Sequence, residues 1–303
     1  MFHRLLPAVF LAATLLSAAD DPTRNVNVFI GTGGHGHTYP GATVPYGMVQ
    51  LSPDTFNAEW DWCSGYHYSD SSIMGFSHTH LSGTGVGDML DVLIMPGTGP
   101  AKTEPGTREN PEQGYRSRFS HQDEVAAPGY YSVLLKDYNI KAELTATERA
   151  GIHQYTFPTS DSSHFIVDLT HAYGGPRVVT SSDLKIVDNS TVTGGRRVNA
   201  WAKGRYIYFV MKFSKPFDRA GIVSGGKALD AAVHESSGAS LKGLFHFKTT
   251  AGEVIHVKVG ISAVSVEGAM KNLEAEIPAW DFDAVRAKAH DTWKKELSRA
   301  SIE

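Results

Sequence analysis

From Tyr130 onward the chain is a succession of short segments dense in β-branched and aromatic residues, and this run limits the fold more than any other feature. Tyr130 to Leu135, Ile140 to Thr147, Gly151 to Phe157, His164 to Leu169, Leu184 to Val187, Thr191 to Gly195, Tyr206 to Phe213, Gly221 to Val223, Gly243 to Phe247 and Val254 to Ser262 each have the length of a strand. Turn-forming sequences such as Asp188-Asn189-Ser190 and Gly225-Gly226 separate them. Many short strands with almost no helix between them pair antiparallel and bury one face each. The pattern predicts an all-β chain, an antiparallel, supersandwich-like β-sandwich. Shorter strands are expected at Asn25 to Ile30, Met48 to Leu51, Asp91 to Met95 and near Tyr115 to Ser120.

Only the tail reads as helical. Val266 to Leu273 has helical spacing, and Asp281 opens a longer helix in which Val285, Ala289, Trp293 and Leu297 recur every four residues. Part of that stripe is expected to belong against a further domain and to leave an apolar patch. The length of 303 residues and the hydrophobic content of 41% suit one large domain with an appendage. Residues 1–19 read as a secretory signal: Arg4 supplies charge, Leu5 to Leu16 an apolar core and Ser17-Ala18-Ala19 a small-residue cleavage site. The expected domains are therefore the signal (1–19), a sandwich (20–265) and a helical linker (266–303). No other run approaches a membrane span, and a net charge of −4 without a basic cluster excludes nucleic acid as a partner. The expected location is periplasmic or secreted.

Chemistry concentrates before the strand-rich half. Ile30 to Gly47 contains six glycines, two prolines and two histidines in eighteen residues, which no helix or central strand accommodates. It also carries His35, His37, Tyr39 and Tyr46, whose rings and polar tips a mere linker does not need. Trp60-Asp61-Trp62 and His78-Thr79-His80 lie in two further loops of the same composition. Aromatic faces beside His, Asp and Ser suit a sugar ring.

Other readings of these residues are weaker. Gly31-Thr-Gly33-Gly-His-Gly36 satisfies the dinucleotide pattern, but Thr38-Tyr-Pro-Gly cannot start the required helix. His35-x-His37 and His78-x-His80, completed by Asp61 or Asp88, have the chemistry of a transition-metal site, yet no His-Glu-x-x-His or cysteine pair supports one. Asp54, Glu59, Asp61, Asp88 and Asp91 offer carboxylates for glycoside hydrolysis, but sequence does not give their separation. There is no Gly-x-Ser-x-Gly elbow. Cys63, the single cysteine, reads as a buried thiol.

Three stretches carry a resemblance to a known family. Val26-Asn-Val-Phe-Ile-Gly-Thr-Gly-Gly-His-Gly-His-Thr-Tyr-Pro-Gly-Ala-Thr-Val-Pro-Tyr-Gly, Trp60-Asp-Trp-Cys-Ser-Gly-Tyr-His-Tyr-Ser-Asp and Gly75-Phe-Ser-His-Thr-His-Leu-Ser-Gly-Thr-Gly closely resemble the amino-terminal domain of glycoside hydrolase family 92, the bacterial exo-acting α-mannosidases. Glu276-Ile-Pro-Ala-Trp-Asp-Phe-Asp is similar to that family's passage into its next domain. The resemblance implies a sandwich packed against an (α/α)6 barrel, with a calcium-dependent, inverting active site between them. It implies that the catalytic acid, the base and most calcium ligands belong to the barrel, which is absent here, so no catalytic residue and no metal ligand is assigned in this chain. The sandwich's side of the cleft is carried over: His35, His37, Trp60, Asp61 and Trp62 as contacts to mannose-containing N-glycans, with His78 and His80 as an extension. By this reading the piece alone is inactive. The rival is a stand-alone carbohydrate-binding module.

Overall fold

The structure, a computed structural model, describes residues 21–300; the expected signal segment lies outside the described residues. Two antiparallel sheets face each other. In spatial order one contains Ala42–Thr43, Gln50–Asp54, Gly75–Ser77, Leu93–Gly97, Ser160–Asp168, Leu241–Thr249, Arg219–Ser224 and Lys227–Ala228. The other contains Glu235–Gly238, Val179–Ile186, Thr191–Val198, Arg205–Phe213, Glu253–Ser262, Ala150–Phe157, Ile140–Ala146, Tyr130–Leu135 and Glu124–Ala127. The expected sandwich is the fold.

Alternation along the strands builds the core. On Ser160–Asp168, Phe165 and Val167 point inward; on Arg205–Phe213, Ile207, Phe209, Met211 and Phe213 do. Rings from the two sheets meet there: Phe165 lies 5.1 Å from Tyr155 and 5.4 Å from Phe213, which in turn sits 5.4 Å from Phe245. Edge-to-face and tilted contacts at this spacing add to the area term.

One reading is corrected. Asn25 to Ile30 is not a strand: Asp21 caps a 3-10 turn over Pro22–Asn25, and Asn27 accepts the Phe29 N–H at 3.0 Å. Local side-chain hydrogen bonds there outcompete a ladder. The tail forms α1 (Val266–Glu276) and α2 (Phe282–Leu297), capped by Ser265 and Asp281. The apolar stripe of α2 is covered by the sandwich rather than left bare over its first half. Phe282, Val285 and Ala289 are buried, Gly129 gives Ala289 room, and the Trp293 indole N–H donates to Thr43 O at 2.6 Å. Among the described residues no helix is long and apolar enough to cross a membrane.

Candidate functional site

The glycine-rich loop closes on itself. Gly31, at φ +83°, has its carbonyl accept the Thr38 N–H at 3.1 Å, and a Cβ on Gly36 would stand 2.0 Å from that same oxygen. Only glycine fits at residue 36. Gly36→Ala should therefore open the loop and cost about 1–3 kcal/mol, read from the urea midpoint; an unchanged midpoint would mean the backbone is not as close as described.

The closed loop presents two histidines. His37 is held in the left-handed region at φ +57°, and its carbonyl accepts the Gly83 N–H at 2.7 Å. Trp60 follows Glu59, another left-handed residue at φ +66°, and donates its indole N–H to Gly85 O at 3.0 Å. The Trp60 and His37 rings meet at 85° with centroids 4.4 Å apart, while 53% of Trp60 stays exposed. Asp61 accepts from His35 Nδ1 at 2.5 Å and stands 4.0 Å from His37 Nε2, a buried nitrogen with no hydrogen-bond partner. His35, His37, Trp60 and Asp61 thus form one lip: an exposed ring flanked by a carboxylate and two imidazoles. Such groups can cover an apolar ring face and bond hydroxyls around it.

Trp62 is not part of the lip. Its indole N–H goes to Asp70 at 2.6 Å, Phe56 meets its ring at 5.6 Å, and the Arg108 guanidinium covers it at 4.6 Å. Its faces are spent on packing. His78 is wholly buried: Nδ1 donates to Val92 O at 2.7 Å, and Nε2 accepts from His153 Nε2 at 3.0 Å. Burial lowers its pKa to about 4. His80, also buried, bonds Gln50 O at 2.7 Å and Asp54 at 2.8 Å. Neither nitrogen of either ring is free for a sugar. His78 turns to Val92 O and His153, and His80 to Gln50 O and Asp54, so two histidines whose spacing suggested a shared site have separate buried partners.

The residues supporting the lip come from further along the chain. Asp54 accepts from both His80 and His171, at 2.8 and 2.9 Å. Burial would raise its pKa, but the two imidazoles dominate and hold it at about 2. The Tyr173 hydroxyl donates to Glu59 O at 2.9 Å, fixing the turn before Trp60. Thr170-His-Ala-Tyr-Gly-Gly has the same His, Tyr and Gly mixture as the earlier loops, and that composition was the available signal. Cys63 is buried beside Tyr173, and burial raises its pKa, as befits an inert thiol. Behind the lip, Asp88 and Asp91 are paired with Arg196 and Arg205. Among the described residues no three His, Cys, Asp or Glu side chains gather to hold a metal. Asp61 is the only lip carboxylate, and His35 occupies it, so the lip does not fit a complete calcium site.

The fold and the lip define a large antiparallel sandwich with a polar, aromatic edge, followed by two helices. The chain belongs to glycosyl hydrolase family 92: residues 25–262 match that family's N-terminal domain and residues 268–303 its catalytic domain, whose match begins within α1. The α-mannosidase BT3965 from Bacteroides thetaiotaomicron, solved in complex with mannoimidazole, is similar at 42% identity and a TM-score of 0.90 over 94% of this chain and 38% of its own. The inverting mannosidase BT2199 from the same organism is similar at 28% identity and a TM-score of 0.79, over 93% of this chain and 37% of its own. An uncharacterized secreted glycosidase of Arthroderma benhamiae is 28% identical over 93% of this chain and 39% of its own. The chain therefore spans less than half the length of these relatives.

Proposed function

We propose that this chain is the substrate-framing sandwich of an exported, calcium-dependent, inverting exo-α-mannosidase acting on mannose-rich N-glycans. Residues 20–265 form the sandwich wall, and 266–303 lead into an (α/α)6 barrel that supplies the catalytic acid, the base and the calcium ligands. The observation that carries this reading is the exposed Trp60 ring, held at a fixed angle by Gly85 O and His37 beside the carboxylate of Asp61. In the proposed complex the ring face covers the apolar side of a mannose, Asp61 accepts from its hydroxyls, and the imidazoles donate or accept at the rim. Calcium would be held by residues of the barrel, where it would supply Lewis-acid chemistry, and no residue of this chain is assigned to it. This chain's own residues bind and orient; they move no proton at the glycosidic bond.

Two measurements test the reading. Trp60→Ala should weaken mannose binding about tenfold, the loss of one stacking partner, whereas Trp62→Ala should leave affinity unchanged and lower stability. Titration showing equal affinity in wild type and Trp60→Ala would overturn the assignment of the lip. The chain should also fail to hydrolyse an aryl α-mannoside with or without calcium; clear turnover would put the reacting groups in the sandwich. If the first test is met and the barrel is dispensable for function, the stand-alone binding module becomes the better description.

A further inference from the structure

Among the described residues three buried side-chain nitrogens lack a hydrogen-bond partner: Arg116 Nε, Arg205 Nε and His37 Nε2. The two guanidinium groups are bonded through both of their other nitrogens. His37 Nε2 instead faces a carboxylate it does not reach: Asp61 Oδ1 is 4.0 Å away, beyond hydrogen-bond range. His37 is 6% exposed, held at φ +57° and packed against the Trp60 ring. A buried polar atom left unpaired is costly, and a non-glycine residue is strained in that backbone region, so two penalties meet in one residue. Such penalties collect where a protein binds something.

The separation of the pair suits one oxygen atom between them. An oxygen about 2.8 Å from both would make an angle of about 90° there. A hydroxyl satisfies both ends, donating to the carboxylate and accepting from the imidazole N–H, whereas an anion cannot donate and an ammonium cannot accept. Asp61 keeps 31% of its side chain in solvent, and the His35 side chain that shares its Oδ1 is 75% exposed. An exposed side chain changes rotamer readily, so a hydroxyl can enter as His35 turns aside.

We propose that His37 Nε2 and Asp61 Oδ1 clamp a single sugar hydroxyl, and that this clamp, more than the Trp60 ring, sets which hexose the lip accepts. A ring face covers any hexose of similar outline, but a buried pair left unmade discriminates against a ligand lacking the one hydroxyl. The inference rests on the proposed reading of the lip and adds to it a specificity-determining residue. Calorimetric titration of the chain with methyl α-mannoside and its four monodeoxy forms tests it, with circular dichroism confirming that each variant is folded. In wild type one monodeoxy form should bind about tenfold or more weakly than the parent, and the others within about twofold of it. His37→Asn, whose side chain tolerates a left-handed backbone, and Asp61→Ala, at a position without that strain, should each bind the parent and that form alike. If all four forms bind wild type as the parent does, water alone bridges the pair and the clamp is wrong, while titration of Trp60→Ala still decides the lip. If one form is weaker but both variants keep the ratio, another group reads the hydroxyl and the clamp is overturned with the lip intact. If the variants erase the ratio but Trp60→Ala binds as wild type, the clamp stands and the stacking role of Trp60 falls. Absence of binding by wild type removes the lip and the clamp together.

Discussion

Replacing Asp91 by Asn should lower the stability of the chain by about 3–5 kcal/mol, the cost of breaking a buried ion pair by removing one partner. Asp91 is fully buried; its Oδ1 lies 2.6 Å from Arg196 Nη2, and its Oδ2 lies 2.5 Å from Arg205 Nη1 and accepts from the Thr79 hydroxyl at 2.6 Å. Burial would raise its pKa, but the two guanidinium groups hold the carboxyl well below the usual range. Without that charge, Arg196, itself buried, keeps only carbonyl acceptors such as Leu169 O and Leu90 O. Those carbonyls belong partly to a strained segment: Met89, Leu90 and Val92 all lie in the left-handed region, at φ +70°, +61° and +57°. Each such residue costs roughly 1–3 kcal/mol and persists only where its surroundings over-determine it. The loop supplying Gly85 O to Trp60 leads directly into this segment, so the substitution should also loosen the lip. Urea denaturation measures the first effect and hydrogen exchange over residues 82–92 the second. As a control, Asp137→Asn breaks an exposed bidentate pair with Arg118 and should cost less than about 1 kcal/mol. Equal losses in the two variants would show that burial does not set the scale.

Acid should destabilise the fold well before its carboxylates titrate. In the core, Val92 O accepts from His78, His78 accepts from His153 at 3.0 Å, and His153 Nδ1 accepts from the Tyr155 hydroxyl at 2.8 Å. This order gives each proton one place only while both rings are neutral. A second proton on His78 would meet the His153 N–H head-on, and one on His153 Nδ1 would leave Tyr155 without an acceptor. Burial lowers His78 from 6.5 to about 4 and puts His153 well below its ordinary value. Their folded-state values are depressed, so the stability they confer is complete above pH 6.5 and is lost as pH falls toward 4, where the unfolded chain takes up protons that the folded chain refuses. At about 1.4 kcal/mol per pH unit, His78 alone accounts for about 3 kcal/mol over that interval. Asp54 acts in a lower window: its depressed pKa of about 2 protects the fold above pH 3.8, and that protection is lost only below it. Urea midpoints from pH 7 to 4 should fall steeply in wild type and less steeply in His78→Gln. Parallel slopes would place the acid sensitivity elsewhere.

How much was legible follows from the range over which each signal acts. Tyr130–Leu135, Ile140–Ala146 and Arg205–Phe213 fall almost where alternation and turn chemistry predict, because those signals are local. So does the start of α2 at Asp281. Composition also located the irregular loops that carry His35, His37, Trp60 and Asp61. It could not tell Trp60 from Trp62: the two flank one aspartate in the same polar stretch, and the difference lies in Arg108, Phe56 and Asp70, which cover one ring and not the other. Likewise nothing around His78 announces His153, which lies on a strand of the opposite sheet.

The sequence by itself determined an antiparallel sandwich with a helical tail, the family to which it belongs, and the loops rich in ring and imidazole groups, since periodicity, turn residues and motif order are written in consecutive positions. Tertiary structure decided which of those groups face solvent. Strand order brings His171 to Asp54, Arg196 to Asp91 and His153 to His78, and a buried polar group is stable only with its partner in place. Pairing at that distance takes His78, His153 and His171 off the surface and leaves Trp60 on it.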